Sequence, residues 1–493
     1  MRPPSRRRRR RRPQGYGQGA LLRESSFRLG CRIASSLCMD RDRGRVNYVA
    51  ASSISTRRLG KILQKNFLSV VDLFAGCGGF GLGLEEAGFT PIFVNELNDD
   101  ARSTYLVNRR DRYAHFREEM DESRWLNPFS SSDARKMTKK SYLDDLESRF
   151  ESTFGIKHGE IDLIVGGPPC QGFSGIGHRR SYSVDKHDIP SNHLFKDMAS
   201  IIRHLQPKAF VFENVRGLLT ARWTPEGEPG EIWWAVKRAF ARIGNYRIAS
   251  QLLHAKDYGV AQNRPRVMLV GIRDDIAGAA THVDCIDEID DTAIGLGFLP
   301  RPIGGAPDLM DLLGDLIDPE YTNGGQTVVY PKGASADIQY LLRKKLSGEV
   351  AEMGAPLTDH EYSKHSDHVK AKFQAMINGD HYVGTKKFAQ RLLPPVWGAK
   401  GPMITATSLP DDYVHFKQAR TLTVREWARL QGFPDWYQFR GKRTTGGIRR
   451  AGNPQEGIHF RELPKYTQIG NAVPVPLARE IGKNLAGILL AKR

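Results

Sequence analysis

The chain has 493 residues, a formal net charge of +18, 40% hydrophobic residues and 26% charged residues, a composition typical of soluble globular proteins. It contains no run of about 18 apolar residues, which excludes a membrane-spanning helix. The five cysteines form no CxxC pair, which argues against a disulfide framework or a cysteine-rich zinc site. We therefore expect a reducing compartment, no metal and no membrane contact.

The positive charge is concentrated at the N-terminus. Residues 1–38 hold eleven arginines, seven of them in the run Arg6–Arg12, against the single acid Glu24, and so carry +10 of the +18. Residues 1–65 have no stable apolar period and are predicted to be disordered. Three interpretations stay open: a basic arm that binds phosphates, an arginine-rich targeting peptide, or a translation start at Met39. We favour the third, because the arginine run joins no other pattern in the chain.

From residue 66 onwards, short apolar runs alternate with helical stretches. Buried strands are predicted at Phe67–Phe74, Pro91–Asn95, Ile161–Val165, Ala209–Glu213 and Val267–Ile272. Helices are predicted up to Ala87 and at Leu194–Leu205, Ile232–Ile243, Thr423–Leu430 and Pro476–Leu490. Strands that alternate with helices indicate a parallel sheet with helices on both faces, and hence an α/β fold.

The alternation ends near residue 276. Residues 276–415 contain clusters of Gly, Pro and Asp and few clean periods. We predict one domain built from residues 66–275 together with 465–493. A second, smaller and irregular domain is predicted over residues 276–464.

A glycine-rich loop follows the first predicted strand. Gly76, Gly78 and Gly81 precede a helix in the spacing G-x-G-x-x-G, and Glu96 lies 20 residues beyond Gly76, at the end of the second strand. This matches the dinucleotide-binding fingerprint, so a nicotinamide-dependent dehydrogenase is one candidate. The same arrangement suits any adenosine cofactor, because glycines let the backbone approach a ligand and a carboxylate binds two ribose hydroxyls. The loop predicts an adenosine-type site without identifying the cofactor.

A stiff loop with a single cysteine follows the strand Ile161–Val165. Two glycines and two prolines precede Cys170 and force a sharp, rigid turn. A fold can present a nucleophile in this way. Taken alone, Cys170 is equally consistent with a buried structural cysteine.

Other polar groups are predicted at the same edge of the sheet. Glu213 closes the strand that begins at Ala209, where a carboxylate can share a proton with a ring nitrogen of a heterocycle; the alternative is a helix-initiating Glu. Arg264 and Arg266 stand two residues apart just before another strand, and on extended backbone we expect them to face opposite sides. One would then enter the site, where it would favour a Cys170 thiolate, while the other anchors structure or phosphate.

Two further stretches lie near the C-terminus. Residues 420–435 predict an N-capped helix with a glycine stop, which by itself looks structural. Residues 468–474 form a polar, glycine-containing corner that leads into the last helix.

Together these stretches closely resemble the DNA (cytosine-5) methyltransferases, which use S-adenosyl-methionine. Six motifs occur in the order of that family: Asp72–Gly79, Pro168–Gln171, Glu213–Val215, Gln262–Arg266, Arg420–Asp435 and Gly470–Val473. Six ordered motifs are far more specific than one, and they favour a methyltransferase over a dehydrogenase. The resemblance covers about residues 68–273 and 400–490. It implies a Rossmann-like class I methyltransferase fold with a mainly parallel sheet; residues 276–400 match the family's target-recognition region in position only.

The resemblance also implies roles for the catalytic residues. C5 of cytosine is a poor nucleophile, and addition of a thiolate at C6 creates an enamine that can attack a methyl sulfonium. Cys170 would add to C6, Glu213 would hold the N3 and N4 edge, and Arg264 or Arg266 would hold O2, with Arg266 preferred. The base must be flipped out of the duplex to react.

The remaining site residues follow from the same resemblance. The loop after Cys170 would close over DNA with Gln171 and Ser174. Asp133 is our choice for the acid that follows the third strand. The full set of expected cofactor-binding residues is Asp72, Phe74, Ala75, Gly76, Gly78, Gly79, Glu96, Leu97, Asp133, Pro168, Asn471 and Ala472.

Three functions are weighed. The leading one is methylation of a short specific sequence in double-stranded DNA. A tRNA cytosine-5 methyltransferase on the same scaffold is the alternative, although the long segment 276–415 favours DNA. The third is a catalytically inactive DNA-binding relative, which the intact Cys170, Glu213 and Arg266 disfavour. We further expect a monomer in the bacterial cytoplasm, associated with the nucleoid when bound to DNA, and a restriction endonuclease as its genetic partner.

Overall fold

The computed structural model of the protein describes residues 67–169, 190–277, 292–380, 390–396, 402–404, 410, 412–445 and 462–491. The N-terminal segment 1–65 lies outside these ranges, as do Cys170, Gln171 and Ser174. The described residues belong to one compact unit, so the division at residues 276 and 464 stays a prediction. None of the described helices combines the length and apolar character needed to cross a bilayer.

A seven-stranded sheet forms the centre of the protein, in the order β3-β2-β1-β4-β5-β7-β6. Its strands are β1 Leu68–Leu73, β2 Phe89–Asn95, β3 Ser130–Ser131, β4 Leu163–Gly166, β5 Ala209–Val215, β6 Tyr246–His254 and β7 Pro265–Arg273. The four strand pairs from β3 through β5 in this order are parallel, whereas β7 runs antiparallel to both β5 and β6. The α/β fold and the mainly parallel sheet are confirmed, but β3 and β6 were not predicted.

Twelve helices occur in the described residues. Those before residue 300 are α1 Gly79–Glu86, α2 Asp99–Val107, α3 Lys140–Phe154, α4 Leu194–Leu205, α5 Glu231–Ala241 and α6 Asp274–Ala277. Those after it are α7 Leu309–Leu313, α8 Asp337–Arg343, α9 Asp367–Asn378, α10 Val424–Leu430, α11 Lys465–Asn471 and α12 Val475–Leu490. Helix α4 has the predicted bounds: its apolar residues recur every three or four positions, and it ends at Gln206 in a left-handed conformation.

Both faces of the sheet are covered, as a parallel sheet requires. Successive side chains of a strand point to opposite faces. Val71 therefore joins a core that includes residues of α3, α4 and α5, while Val70 joins a core with α1 and α12. Helices α1 and α12 pack closely, since a Cβ at Gly83 would lie 2.5 Å from the Cβ of Ala478.

A third hydrophobic core lies under α10 and contains mainly residues beyond 308. Two short parallel strands, β8 Arg391–Leu392 and β9 Tyr413–Val414, belong to the same part of the chain. The Thr423 side chain caps α10 in a capping box with Glu426, and Gly432 follows with a φ of +76°. Arg429 of α10 is buried between Asp315, at 2.5 Å, and Asp435, at 2.6 Å. The predicted capped helix within residues 420–435 is confirmed, and it spans Val424–Leu430.

Candidate active site

The sheet topology brings the described motif residues to one edge. The parallel strands β1, β2, β4 and β5 all end at this edge, and the antiparallel β7 begins there. The edge therefore carries the glycine-rich loop after β1, Glu96 after β2, Pro168 after β4, Glu213 near the end of β5, and Arg266 at the start of β7.

The glycine-rich loop has an unusual backbone. Phe74 is a non-glycine residue with a φ of +54°, and Gly76 and Gly78 have φ values of +56° and +89°. Left-handed conformations cost energy for residues with a side chain and concentrate at ligand sites. A Cβ on Gly76 would meet no atom within 4 Å. The space above Gly76 is therefore open to a ligand.

Glu96 is tied to this loop. Its Oε2 accepts the Gly76 N–H at 2.9 Å and its Oε1 accepts the Asn98 N–H at 2.8 Å. Burial raises the pKa of Glu96, and these hydrogen bonds oppose the shift. The neighbouring Leu97 is 69% exposed, a high value for a leucine. A partly buried carboxylate beside an exposed apolar side chain and an open glycine loop fits the ribose and base of an adenosine group.

Two buried residues that the sequence analysis missed support the loop from below. The Tyr437 hydroxyl donates to the Cys77 carbonyl at 2.6 Å and accepts from Arg109 Nη1 at 2.9 Å. Arg109 Nη2 also donates to the Gly78 carbonyl at 3.2 Å and forms an ion pair with Glu85. No local signal marks either residue, because Arg109 lies in a charged run and Tyr437 follows a turn.

Asp72 lies under the loop, away from the open space. It is 1% exposed, and a Cβ on Gly81 would lie 2.6 Å from its Oδ2 and 3.2 Å from the Tyr105 hydroxyl. Its Oδ2 has no hydrogen-bond partner among the described residues. Burial raises the pKa of Asp72 to about 7, against the opposing charge of Arg109. Its surroundings favour a supporting role over direct contact with a cofactor.

Asp133 follows the short strand β3, which pairs in parallel with β2 so that Ser131 lies opposite Asn95. Asp133 and Glu96 therefore leave neighbouring strands at the same edge. The Asp133 carboxylate accepts from Arg135 Nε at 3.1 Å. The position agrees with the expectation for an acid after the third strand.

Glu213 contacts the start of the cysteine loop. A Cβ on Gly167 would lie 2.6 Å from Glu213 Oε2, and the Asn214 side chain donates to the Pro168 carbonyl at 3.0 Å. Cys170 itself lies outside the described residues, yet it is only two residues beyond Pro168. Because Gly167 has no side chain, the Glu213 carboxylate can occupy the space beside it.

Arg266 is the charge partner of Glu213. The pairing of β5 with β7 places Arg266 opposite Val215. Arg266 and Glu213 are therefore diagonal neighbours on one face of the sheet. Arg266 Nε lies 2.5 Å from Glu213 Oε1, but neither atom has an aligned hydrogen-bond partner in the described part of the chain. Burial raises the pKa of Glu213, and the charges of Arg266 and Arg264 oppose it. The pair is buried and has hydrogen-bonding capacity left for a ligand.

Arg264 is an anchor. Its Nη1 donates to the Ile404 carbonyl at 2.8 Å, and its Nη2 donates to the Gly470 carbonyl. The two arginines do separate, but the stated reason was wrong, because residues two apart in a strand share a face. Arg264 precedes β7, which begins at Pro265, so the pleat of the strand does not fix its direction.

The corner after α11 packs on the glycine-rich loop. A Cβ on Gly79 would lie 2.5 Å from the Val473 carbonyl oxygen and 3.0 Å from the Ala472 Cβ. Asn471 ends α11 and is exposed. The structure thus brings both C-terminal candidates, Asn471 and Ala472, close to the loop.

Comparison with known proteins agrees with this arrangement. The family model of C-5 cytosine-specific DNA methylases matches residues 68–487. The type II methyltransferase M.DdeI of Desulfomicrobium norvegicum is 28% identical over 431 residues, which cover 85% of this chain and 88% of the relative. The type II methyltransferase M1.HphI of Haemophilus parahaemolyticus is 27% identical, with coverages of 84% and 86%.

A solved structure has the same fold. It is a prophage-encoded protein of E. coli described as a candidate DNA modification methyltransferase, with a TM-score of 0.57, 23% identity, and coverage of 86% of this chain and 99% of that chain. The sheet therefore has the class I methyltransferase fold, and the family match to residues 68–487 shows that the dehydrogenase interpretation is wrong. With the family match spanning most of its length, the chain belongs to the C-5 cytosine-specific DNA methylases.

Proposed function

We propose that this methyltransferase transfers a methyl group from S-adenosyl-methionine to C5 of a flipped-out cytosine in a short specific sequence of duplex DNA. The observation that carries the proposal is the arrangement in which Glu213 pairs with Arg266 and lies against Gly167, while the adjacent Asn214 binds the Pro168 carbonyl. These residues lie at the sheet edge that also holds Glu96 and the glycine-rich loop.

The cofactor would lie over the glycine-rich loop. Glu96 would bind the ribose hydroxyls, Leu97 and Phe74 would contact the base or the sulfonium region, and Asp133 would bind the adenine. When bound, S-adenosyl-methionine supplies an electrophilic methyl group. The backbone at Ala75, Gly76, Gly78 and Gly79, and the corner residues Asn471 and Ala472, would shape the rest of the site, with Pro168 beside it. Asp72 would act from below by supporting the loop.

Cys170, Glu213 and Arg266 would act on the base. The Cys170 thiolate adds to C6, and the C5–C6 double bond electrons become available at C5. Glu213, whose pKa is raised by burial, can hold a proton at N3 and accept from N4 while the ring carries extra charge. Arg266 donates to O2 and balances the Glu213 carboxylate. After methylation, water takes the C5 proton, the C5–H bonding electrons re-form the C5–C6 double bond, and Cys170 leaves C6 as a thiolate.

DNA recognition would be divided between two parts of the chain. Gln171 and Ser174 would contact the backbone around the flipped base. The predicted small domain, residues 276–464, would contact base edges in the major groove. Because the relatives named above are type II methyltransferases, we propose that the chain works beside a restriction endonuclease. A monomer in the bacterial cytoplasm suffices for this role.

The test is transfer of labelled methyl groups to duplex DNA. The parent chain is expected to label DNA at one short sequence, which bisulfite sequencing of DNA from expressing cells identifies. Cys170→Ser is expected to abolish turnover, while the matched control Cys285→Ser retains it. An active Cys170→Ser variant refutes the mechanism.

The same assay separates the alternatives. Labelling of tRNA in preference to DNA supports the tRNA methyltransferase. DNA binding without any methyl transfer by the parent chain supports the inactive relative.

A further inference from the structure

A basic groove lies on the outer surface of the protein between α4 and α5. Its volume is about 560 Å³, and its lining includes Lys196 and Arg203 of α4, Arg238 of α5 and Arg242 just beyond it. All four side chains are exposed. We call this surface the α4–α5 groove. None of its residues belongs to the candidate active site.

Within the described ranges, none of the four cations forms an ion pair, although the charge of Lys196 acts on the carboxyl group of the neighbouring Asp197. Arg203 Nη2 donates to the Arg242 carbonyl at 3.2 Å, and Arg238 Nε donates to the Trp234 carbonyl at 3.4 Å. Glu231 is the single acid in the lining, and it already accepts the Trp223 N–H. Like charges that share one groove raise its positive potential and attract anions.

The size of the groove indicates a polyanion. Lys196 and Arg203 are seven residues apart on α4, which corresponds to about 10 Å along the helix axis. Duplex DNA carries one charge per about 1.7 Å of its axis, so the same length of DNA presents about six phosphate charges. Guanidinium groups suit phosphate oxygens because they donate in pairs.

The groove also begins near the active-site edge. Helices α4 and α5 follow the parallel strands β4 and β5, so each helix starts at the carboxyl edge and runs back towards the opposite one. Lys196 lies in the first turn of α4, whereas Arg203 lies in its last turn. A duplex held at the active-site edge could continue past Lys196 into the groove.

We propose that the α4–α5 groove binds the phosphate backbone of duplex DNA that flanks the target sequence. This inference rests on the proposed function, because DNA is the substrate there. The groove supplies sequence-independent affinity and holds long DNA while the active site engages one cytosine.

The test compares salt dependence on long and short duplexes. Binding of a long duplex without the target sequence is measured between about 50 and 200 mM salt, where each phosphate contact contributes about 0.9 to the slope of log K against log salt. The triple variant Arg203→Gln, Arg238→Gln and Arg242→Gln is expected to lower the slope by about 2 to 3. Methylation of a short duplex that contains only the target should stay within about twofold of the parent rate, because no groove residue contacts the reacting base.

Two controls identify the cause. The triple variant Lys139→Gln, Lys157→Gln and Lys483→Gln removes the same number of charges from exposed sites outside the groove, and should leave the slope near that of the parent. Replacement of the three groove arginines by lysine should keep most of the slope. If the glutamine triple variant does not fold, the double variant Lys196→Gln with Arg238→Gln is used, with an expected drop of about 2.

An unchanged slope in the glutamine variant, or an equal drop in the control triple variant, overturns the inference. This outcome is distinct from failure of the proposed function, in which the parent chain methylates neither duplex.

Discussion

The hydroxyl of Tyr437 provides a direct test of how the glycine-rich loop is held. Tyr437→Phe removes one oxygen that donates to the Cys77 carbonyl at 2.6 Å and accepts from Arg109 at 2.9 Å. Both partners are buried. A buried polar group left without its partner costs about 1–3 kcal/mol. Arg109 keeps its ion pair with Glu85, so the main loss falls on the Cys77 carbonyl, next to Gly78 in the loop.

Two measurements follow from this loss. The KM for S-adenosyl-methionine is expected to rise about five- to tenfold, equivalent to about 1–1.4 kcal/mol, while kcat at saturating cofactor stays within about twofold. The melting temperature should fall by about 1 °C for each kcal/mol lost, because the compact unit Lys61–Arg493 is large. The matched control is Tyr340→Phe, because Tyr340 is 48% exposed, and it should change neither quantity. Parent-like KM and melting temperature in Tyr437→Phe would refute the loop-support argument.

Two further predictions concern buried charges. Arg266→Ala should lower kcat by at least about tenfold, because Arg266 faces Glu213, and it should also lower the melting temperature, because Glu213 is left buried without its charge partner. Arg264→Ala should cost about 2–4 kcal/mol of unfolding free energy, because Arg264 holds two carbonyls, with a smaller loss of kcat. Steady-state kinetics with thermal melts checks the split, and an equal loss of kcat in the two variants would contradict it. The pKa of Asp72 is raised to about 7 by burial, so the folded state binds more protons than the unfolded state between about pH 4 and 7, and stability should fall as pH rises through this range. Asp72→Asn should flatten that dependence and raise the melting temperature above pH 7; an unchanged pH profile would show that Asp72 is not the titrating group.

Local motifs account for the parts of the site that could be predicted from the sequence. Glu96 and Glu213 end buried strands, and apolar runs mark those strands clearly. Parallel strands then bring their carboxyl ends together without any knowledge of the tertiary contacts. Asp133 was chosen from the family resemblance alone, because β3, the strand that precedes it, has only two residues and was not recognised.

Long-range partners account for what was missed. Arg109 contacts Tyr437 across 328 positions of the chain, and nothing near either residue encodes that pairing. Strand direction is also invisible in an apolar run, so the antiparallel course of β7 was not predicted. Asp72 was placed among the cofactor ligands because its motif is contiguous, whereas the fold turns its carboxylate under α1.

The antiparallel course of β7 limits how this enzyme can be altered. Because β7 begins at the carboxyl edge, Arg266 reaches the site from the first residues of the strand, opposite both Val215 and Leu253. An insertion of one residue early in β7 would shift this register by one position and turn Arg266 to the other face of the sheet. The connection between β6 and β7 can change in length, but the spacing from Arg266 to Met268 must stay fixed. Attempts to replace the predicted small domain, residues 276–464, should therefore join the chain after Arg273, where β7 has ended.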